Sequence, residues 1–188
     1  MSILNKFRST FTFGKTGLES DVDSASDAPV IKEERRRNER VNARDGTRAL
    51  LIDDSPTIVF ALMKILQSAG FITLEAGNAE TGISIARTEV PDLIFLDIIL
   101  PGVNGFAALR TLRKDPATSH IPIIMISGNE QATELFFGSR TGADDFMKKP
   151  FSRDEVFARI ERLLDADGVP RRITAATAAS AAESDLRG

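Results

Sequence analysis

Short apolar runs alternate with stretches of helical periodicity from about Thr47 to Asp165, and this alternation predicts the fold. The first run, RALLID, ends at Asp53 and Asp54. Ser55 then offers an N-cap and Pro56 suits a first helical turn. Ile58, Val59, Leu62, Ile65, Leu66 and Ala69 recur at helical spacing up to a stop at Gly70. FITLEA reads as a second strand, Asn78 opens a second helix, and Pro91 breaks the chain before a third strand, DLIFLD. A third helix follows Gly105, IPIIMIS is a fourth strand, a fourth helix spans roughly Glu130 to Ser139, and DDFMK is a fifth strand. The last helix opens at Ser152, which has capping-box spacing to Glu155. Five strands alternating with five helices imply an α/β domain with a parallel sheet covered on both faces, and near-continuous apolar strands suit such burial.

That arrangement brings the polar residues at the strand ends together, because open α/β sheets gather ligands beyond the strand C-termini. Asp53 and Asp54 follow strand one, Asp97 follows strand three, Ser127 and Gly128 follow strand four, and Lys149 follows strand five just before Pro150. Asp97 comes directly after the apolar run Leu93 to Leu96, where a carboxylate withdrawn from water needs compensation. Three converging carboxylates repel one another. A hard cation such as magnesium (Mg2+) is their natural partner, since it accepts carboxylate oxygens and keeps waters for an incoming phosphate. Lys149 adds a positive charge and Ser127 a hydroxyl donor. Lys148 is a rival for that place, but alternation along the strand aims neighbours to opposite sides.

Composition narrows the classes. The 188 residues are 42% apolar, enough for a sizeable core. There is no cysteine, so disulfides and thiolate metal sites are excluded. No apolar run approaches the ~20 residues that cross a bilayer, and MSILNKFRST lacks the long apolar centre of a secretion signal, so a cytoplasmic setting is expected. Residues 1–46 carry 9 basic and 8 acidic groups, whereas residues 47–167 carry 12 and 17. The acidic middle disfavours a broad nucleic-acid surface there. A low-complexity, charged extension is expected over 1–46, the folded domain over 47–166, and a disordered, small-residue tail over 167–188.

The region resembles a receiver domain of two-component response regulators. The resemblance rests on the acidic pair of IDDSPT, on DIILPGVNG, on IPIIMISG and on KPF, which occur in order at compatible spacing. It implies a flavodoxin-like (CheY-like) sheet in the order 2-1-3-4-5. It also implies Asp97 as phosphoacceptor, Ser127 as the hydroxyl switch residue, Lys149 as the lysine of KPF and Phe146 as the switch aromatic. Mg2+ would be held by Asp53, Asp54, Asp97 and the backbone carbonyl of Ile99. The Gly128 amide would meet a phosphoryl oxygen, and a cis peptide would precede Pro150. The partners implied are a histidine kinase or phosphotransfer protein as donor, and a downstream protein that reads the face of helix four, strand five and helix five. Within the family, IDDSPT, PGVNGF and IPIIMISG look most like stand-alone regulators of chemotaxis-like systems that control twitching motility by type IV pili. Such a chain is a phosphoacceptor that promotes its own phosphotransfer and dephosphorylation rather than an enzyme acting on a separate substrate.

Other readings are weaker. GKT at Gly14 to Thr16 mimics the end of a P-loop, but Ser9 stands where the first glycine belongs. His120 is the only histidine and reads as a solvent-facing loop residue. RRRNER, Arg35 to Arg40, resembles the arginine motif that opens cyclic-dinucleotide-binding PilZ domains, yet no barrel sequence follows it. A DNA- or nucleotide-linked regulator would have to act through Arg35 to Arg44, since no DNA-binding domain is recognisable and the stretch after Gly168 is too short to build one. Aspartyl-phosphate hydrolases of the haloacid-dehalogenase type want a second Asp two residues past the nucleophile, where this chain has Ile99. Ile3, Leu4, Phe7 and Phe11, with Lys6 and Arg8 nearby, could form one apolar side of a short helix that docks on a partner or a membrane, against the plainer reading of a disordered tail.

Overall fold

The computed structural model describes residues 41–138 and 142–172. Five strands, β1 (Arg48–Ile52), β2 (Ile72–Ala76), β3 (Leu93–Asp97), β4 (Ile123–Ser127) and β5 (Asp145–Lys148), form one parallel sheet in the order β2-β1-β3-β4-β5. They alternate with α1 (Pro56–Gln67), α2 (Ala79–Glu89), α3 (Gly105–Lys114), α4 (Glu130–Gly138) and α5 (Arg153–Glu161). Every residue of β3 and β4 is buried. These central strands need apolar side chains on both faces, which is why their sequences show runs rather than alternation. Leu50, Ile94, Leu96 and Met125 face a core closed by α2 and α3, and Leu51, Phe95, Ile124 and Ile126 face one closed by α1 and α5.

Local chemistry fixes most helix starts. Asn78, Asn104 and Ser152 each accept a backbone N–H from Thr81, Ala107 and Glu155, at 2.8, 2.9 and 3.1 Å. Ser55 corrects the expectation for α1: it stands at the N-cap position but its side chain makes no cap hydrogen bond. Pro56 at the first turn has no N–H to satisfy, and Asp53 Oδ1 instead accepts the Ser55 N–H at 2.9 Å. In α1 only Leu62 and Leu66 of the predicted stripe are fully buried, while Ile58, Val59, Ile65 and Ala69 are partly covered. His120 is exposed, as expected for its loop.

Packing runs past the expected bounds at 47 and 166. Val41 is buried in the α1/α5 core, and Val169 is 5% exposed. The Arg44 N–H donates to the Gly168 carbonyl at 2.9 Å. Gly168 has φ +71°, and a Cβ there would lie 2.6 Å from the Asn42 carbonyl oxygen, so the crossing of the two flanks admits only glycine. The stretches 1–40 and 173–188, including Arg35 to Arg40 and the apolar positions Ile3, Leu4, Phe7 and Phe11, lie outside the described residues.

Candidate phosphoacceptor and metal site

β1 and β3 are neighbours in register, so their C-terminal ends deliver carboxylates side by side. Carboxylate oxygens of Asp53, Asp54 and Asp97 lie within 4.8 Å of one another. Asp53 and Asp97 are buried, while Asp54 is exposed. After β5 the chain turns through a cis Lys149–Pro150 peptide, and the Lys149 N–H donates to the Ser127 carbonyl at 2.8 Å. Lys149 Nζ then sits 2.6 Å from Asp53 Oδ2 and 2.9 Å from Asp97 Oδ2. Lys148 points away and pairs with Glu130 at 3.3 Å.

Two close approaches shape the floor. The Ile99 N–H donates to Asp97 Oδ1 at 3.3 Å. Gly105 lies so near the strand end that a Cβ there would stand 2.1 Å from the Asp97 carbonyl oxygen, so any side chain would push α3 off β3. Gly105 was legible in sequence only as a helix start.

The electrostatics are unbalanced. Burial raises Asp97 above the ordinary carboxylate range, and the Lys149 ammonium opposes but does not cancel that rise. Burial also acts to lower Lys149, but its contacts with Asp53 and Asp97 outweigh burial and hold it above the usual lysine range. Asp53 Oδ2 is buried and, although 2.6 Å from Nζ, accepts no well-aligned hydrogen bond. A buried carboxylate oxygen with an open acceptor direction, beside two further carboxylates, fits a hard divalent cation.

Ser127 is buried and caps the next turn: its Oγ accepts the Asn129 N–H at 3.1 Å. Gly128 follows it, with the Lys149 side chain alongside. Phe146 is 5% exposed, and its ring stacks on Phe136 of α4 with centroids 4.9 Å apart. The Phe137 side chain lies outside the described residues. No periodic pattern signals a stack formed between a helix and a later strand.

A family model described as the response regulator receiver domain matches residues 49–161, and the chain belongs to that family. Receiver domains are signalling modules of two-component systems rather than classical enzymes. Among curated proteins the chain is similar to Protein PilH of Pseudomonas aeruginosa, 40% identical over 117 residues that cover 62% of this chain and 97% of that protein. It is also similar to the DNA-binding response regulator MtrA of Mycolicibacterium smegmatis, 36% identical over 62% of this chain but only 50% of the relative. The chain thus spans about half the length of that DNA-binding relative. Among solved structures, the receiver domain of a Pseudomonas aeruginosa sensor histidine kinase superposes with a TM-score of 0.58 at 26% identity, covering 62% of this chain and 96% of the other. That structure holds a magnesium ion in its active-site cleft. No helix among the described residues is long and apolar enough to cross a membrane.

Proposed function

We propose that Asp97 accepts a phosphoryl group from a phosphohistidine on a histidine kinase or phosphotransfer protein, and that the chain signals through protein contacts. The observation that carries this reading is the charge deficit at the strand ends, where three clustered carboxylates share the single ammonium of Lys149. An Asp97 oxygen attacks phosphorus, the O–P bond forms as the N–P bond to histidine breaks, and the imidazole leaves with the bonding electron pair. Asp53, Asp54, Asp97 and the Ile99 carbonyl would hold Mg2+, which supplies charge screening for the approach of two anions. Lys149, the Ser127 hydroxyl and the Gly128 amide would hold the phosphoryl oxygens. For the hydroxyl to reach them, Ser127 must leave its bond to Asn129. Ser127 moving toward the phosphoryl group would vacate space that Phe146 can enter, which would couple the site to α4, β5 and α5. The same residues would support hydrolysis of the acyl phosphate and reset the module.

The motifs shared with stand-alone regulators, and the near-full-length match to PilH, support a chemotaxis-like system of the kind that controls twitching motility, acting in the cytoplasm. Incubation with acetyl phosphate and Mg2+ should add one phosphate by intact mass, and Asp97→Asn should accept none. Equal labelling of that variant would refute the assignment. The extension over 1–46 and the tail over 167–188 are proposed to lie outside the phosphoacceptor unit, although residues 41–46 and 167–172 pack on it.

A further inference from the structure

A groove beside the acidic site shares Asp53 and Asp54 with it, but its apolar wall has no role in the phosphoacceptor reading. A cavity of about 360 Å³ opens between the first half of α1 and the end of β2, lined by Val59, Phe60 and Met63 and by the carboxylates of Asp53, Asp54 and Glu75. Phe60 is 57% exposed although it sits beside this cavity, and Lys64 Nζ lies 5.4 Å from its ring. Asp53 is paired with Lys149, which leaves Asp54 and Glu75 against the one ammonium of Lys64, so the groove is net negative and its chemistry selects an apolar and cationic occupant.

The chain carries such a segment. Residues 1–18 include Ile3, Leu4, Phe7, Phe11 and Phe13 together with Lys6, Arg8 and Lys15, and the first acidic residue is Glu19. Val41 is buried where the chain enters the domain, and the nearby Gly46 N–H bonds to the Gly70 carbonyl just past the end of α1. α1 is about 18 Å long, so the groove begins roughly one helix length from that entry. The 22 residues from Glu19 to Arg40 can span up to about 70 Å. Tethering at millimolar effective concentration makes even a weak contact populated. We propose that residues 3–15 dock in this groove of their own chain, with phenylalanine side chains against Phe60 and Met63 and cations against Asp54 and Glu75. Because Asp53 and Asp54 line the groove and also cluster with Asp97, docking screens the phosphoacceptor; this consequence rests on the function proposed above.

The full chain lacks cysteine, so Ser9→Cys gives a single attachment point for a spin label. The label should broaden amide resonances of Val59, Phe60, Met63 and Glu75. The broadening should fall at least threefold when Lys6, Arg8 and Lys15 are changed to Glu, or when Phe60 is changed to Ala. Broadening on another face, or none, would overturn the proposal. So would broadening seen only when labelled chain is mixed with isotope-labelled, spin-free chain, which would make the occupant a second copy. Absence of groove broadening with sedimentation on phosphatidylserine vesicles would assign the segment to membranes and also overturn it. Removing residues 2–18 should raise the initial rate of phosphorylation by acetyl phosphate at least threefold, and an unchanged rate would refute the screening. Failure of the intact chain and the shortened chain alike to take up phosphate would strike the Asp97 assignment, while the spin-label result would still decide the docking.

Discussion

The sheet carries a buried acid–base cluster at each pole, and the two obey opposite rules. At the N-terminal pole, Asp144 is held by Arg113 Nη2 at 2.6 Å, by Arg172 Nε at 3.0 Å and by the Ile123 N–H at 2.8 Å. Arg113 gives further donors to the carbonyls of Gly142 and Ile121, each at 2.7 Å. One carboxylate there meets two guanidiniums. At the C-terminal pole three carboxylates meet one ammonium. The Asp144 and Asp53 side chains are equally dry, each 2% exposed. Burial therefore does not separate structure from chemistry in this molecule. Charge balance does: the satisfied cluster locks α3, the β5 entry and the C-terminal flank together, and the deficient one has the donor set that the proposed cation binding and phosphoryl transfer require.

The comparison breaks if the two poles respond alike to loss of a carboxylate. Asp144→Asn leaves the Arg113 guanidinium buried without its counter-charge and should cost about 3–5 kcal/mol in urea denaturation. Asp97→Asn relieves repulsion and should leave stability unchanged or higher while abolishing phosphate uptake. Next in size is metal binding. Asp54→Ala should weaken Mg2+ by about tenfold or more in calorimetry, since even outer partners of a metal site are worth that much. The same substitution at an exposed side chain should move stability by no more than about 0.5 kcal/mol.

Titration sharpens the contrast. Burial raises Asp97, so its ionisation costs the folded chain more than the unfolded one. That cost is absent below the unfolded carboxylate value and grows as pH rises through the folded one. The stability advantage of Asp97→Asn over the natural chain, measured without Mg2+, should therefore be larger at pH 7 than at pH 4. An advantage that shrinks with rising pH would contradict the deficit. At the other pole a smaller loss than that of Asp144→Asn is expected for Arg172→Ala, about 1 kcal/mol, because Arg113 and the Ile123 amide still hold Asp144. Phosphate uptake should not change in that variant.

The two poles also differ in how legible they were. Each member of the upper cluster ends an apolar strand, so reading where five runs stop was enough to expect Asp53, Asp54, Asp97 and Lys149 in one place. The lower cluster has no such signature. Arg113 lies in the last turn of α3, Asp144 sits in a loop, and Arg172 lies beyond the expected domain limit. Only the fold brings the three together. The packing of the flanks was illegible for a related reason: Val41 and Val169 are single apolar residues in polar surroundings, and one buried side chain makes no periodic pattern. The unmade Ser55 cap has no signature in the sequence: its own N–H goes to Asp53 Oδ1, and its hydroxyl caps no amide.

The central claim is that the pole short of cations is the pole that reacts, and at Asp97. After phosphorylation with acetyl phosphate and Mg2+, borohydride reduction converts an aspartyl phosphate to homoserine, and peptide mass spectrometry locates the change. The account predicts homoserine at position 97 alone, with nothing at Asp53, Asp54 or Asp144. Homoserine at any of those three positions, or its absence from position 97 in protein that has taken up phosphate, would contradict it.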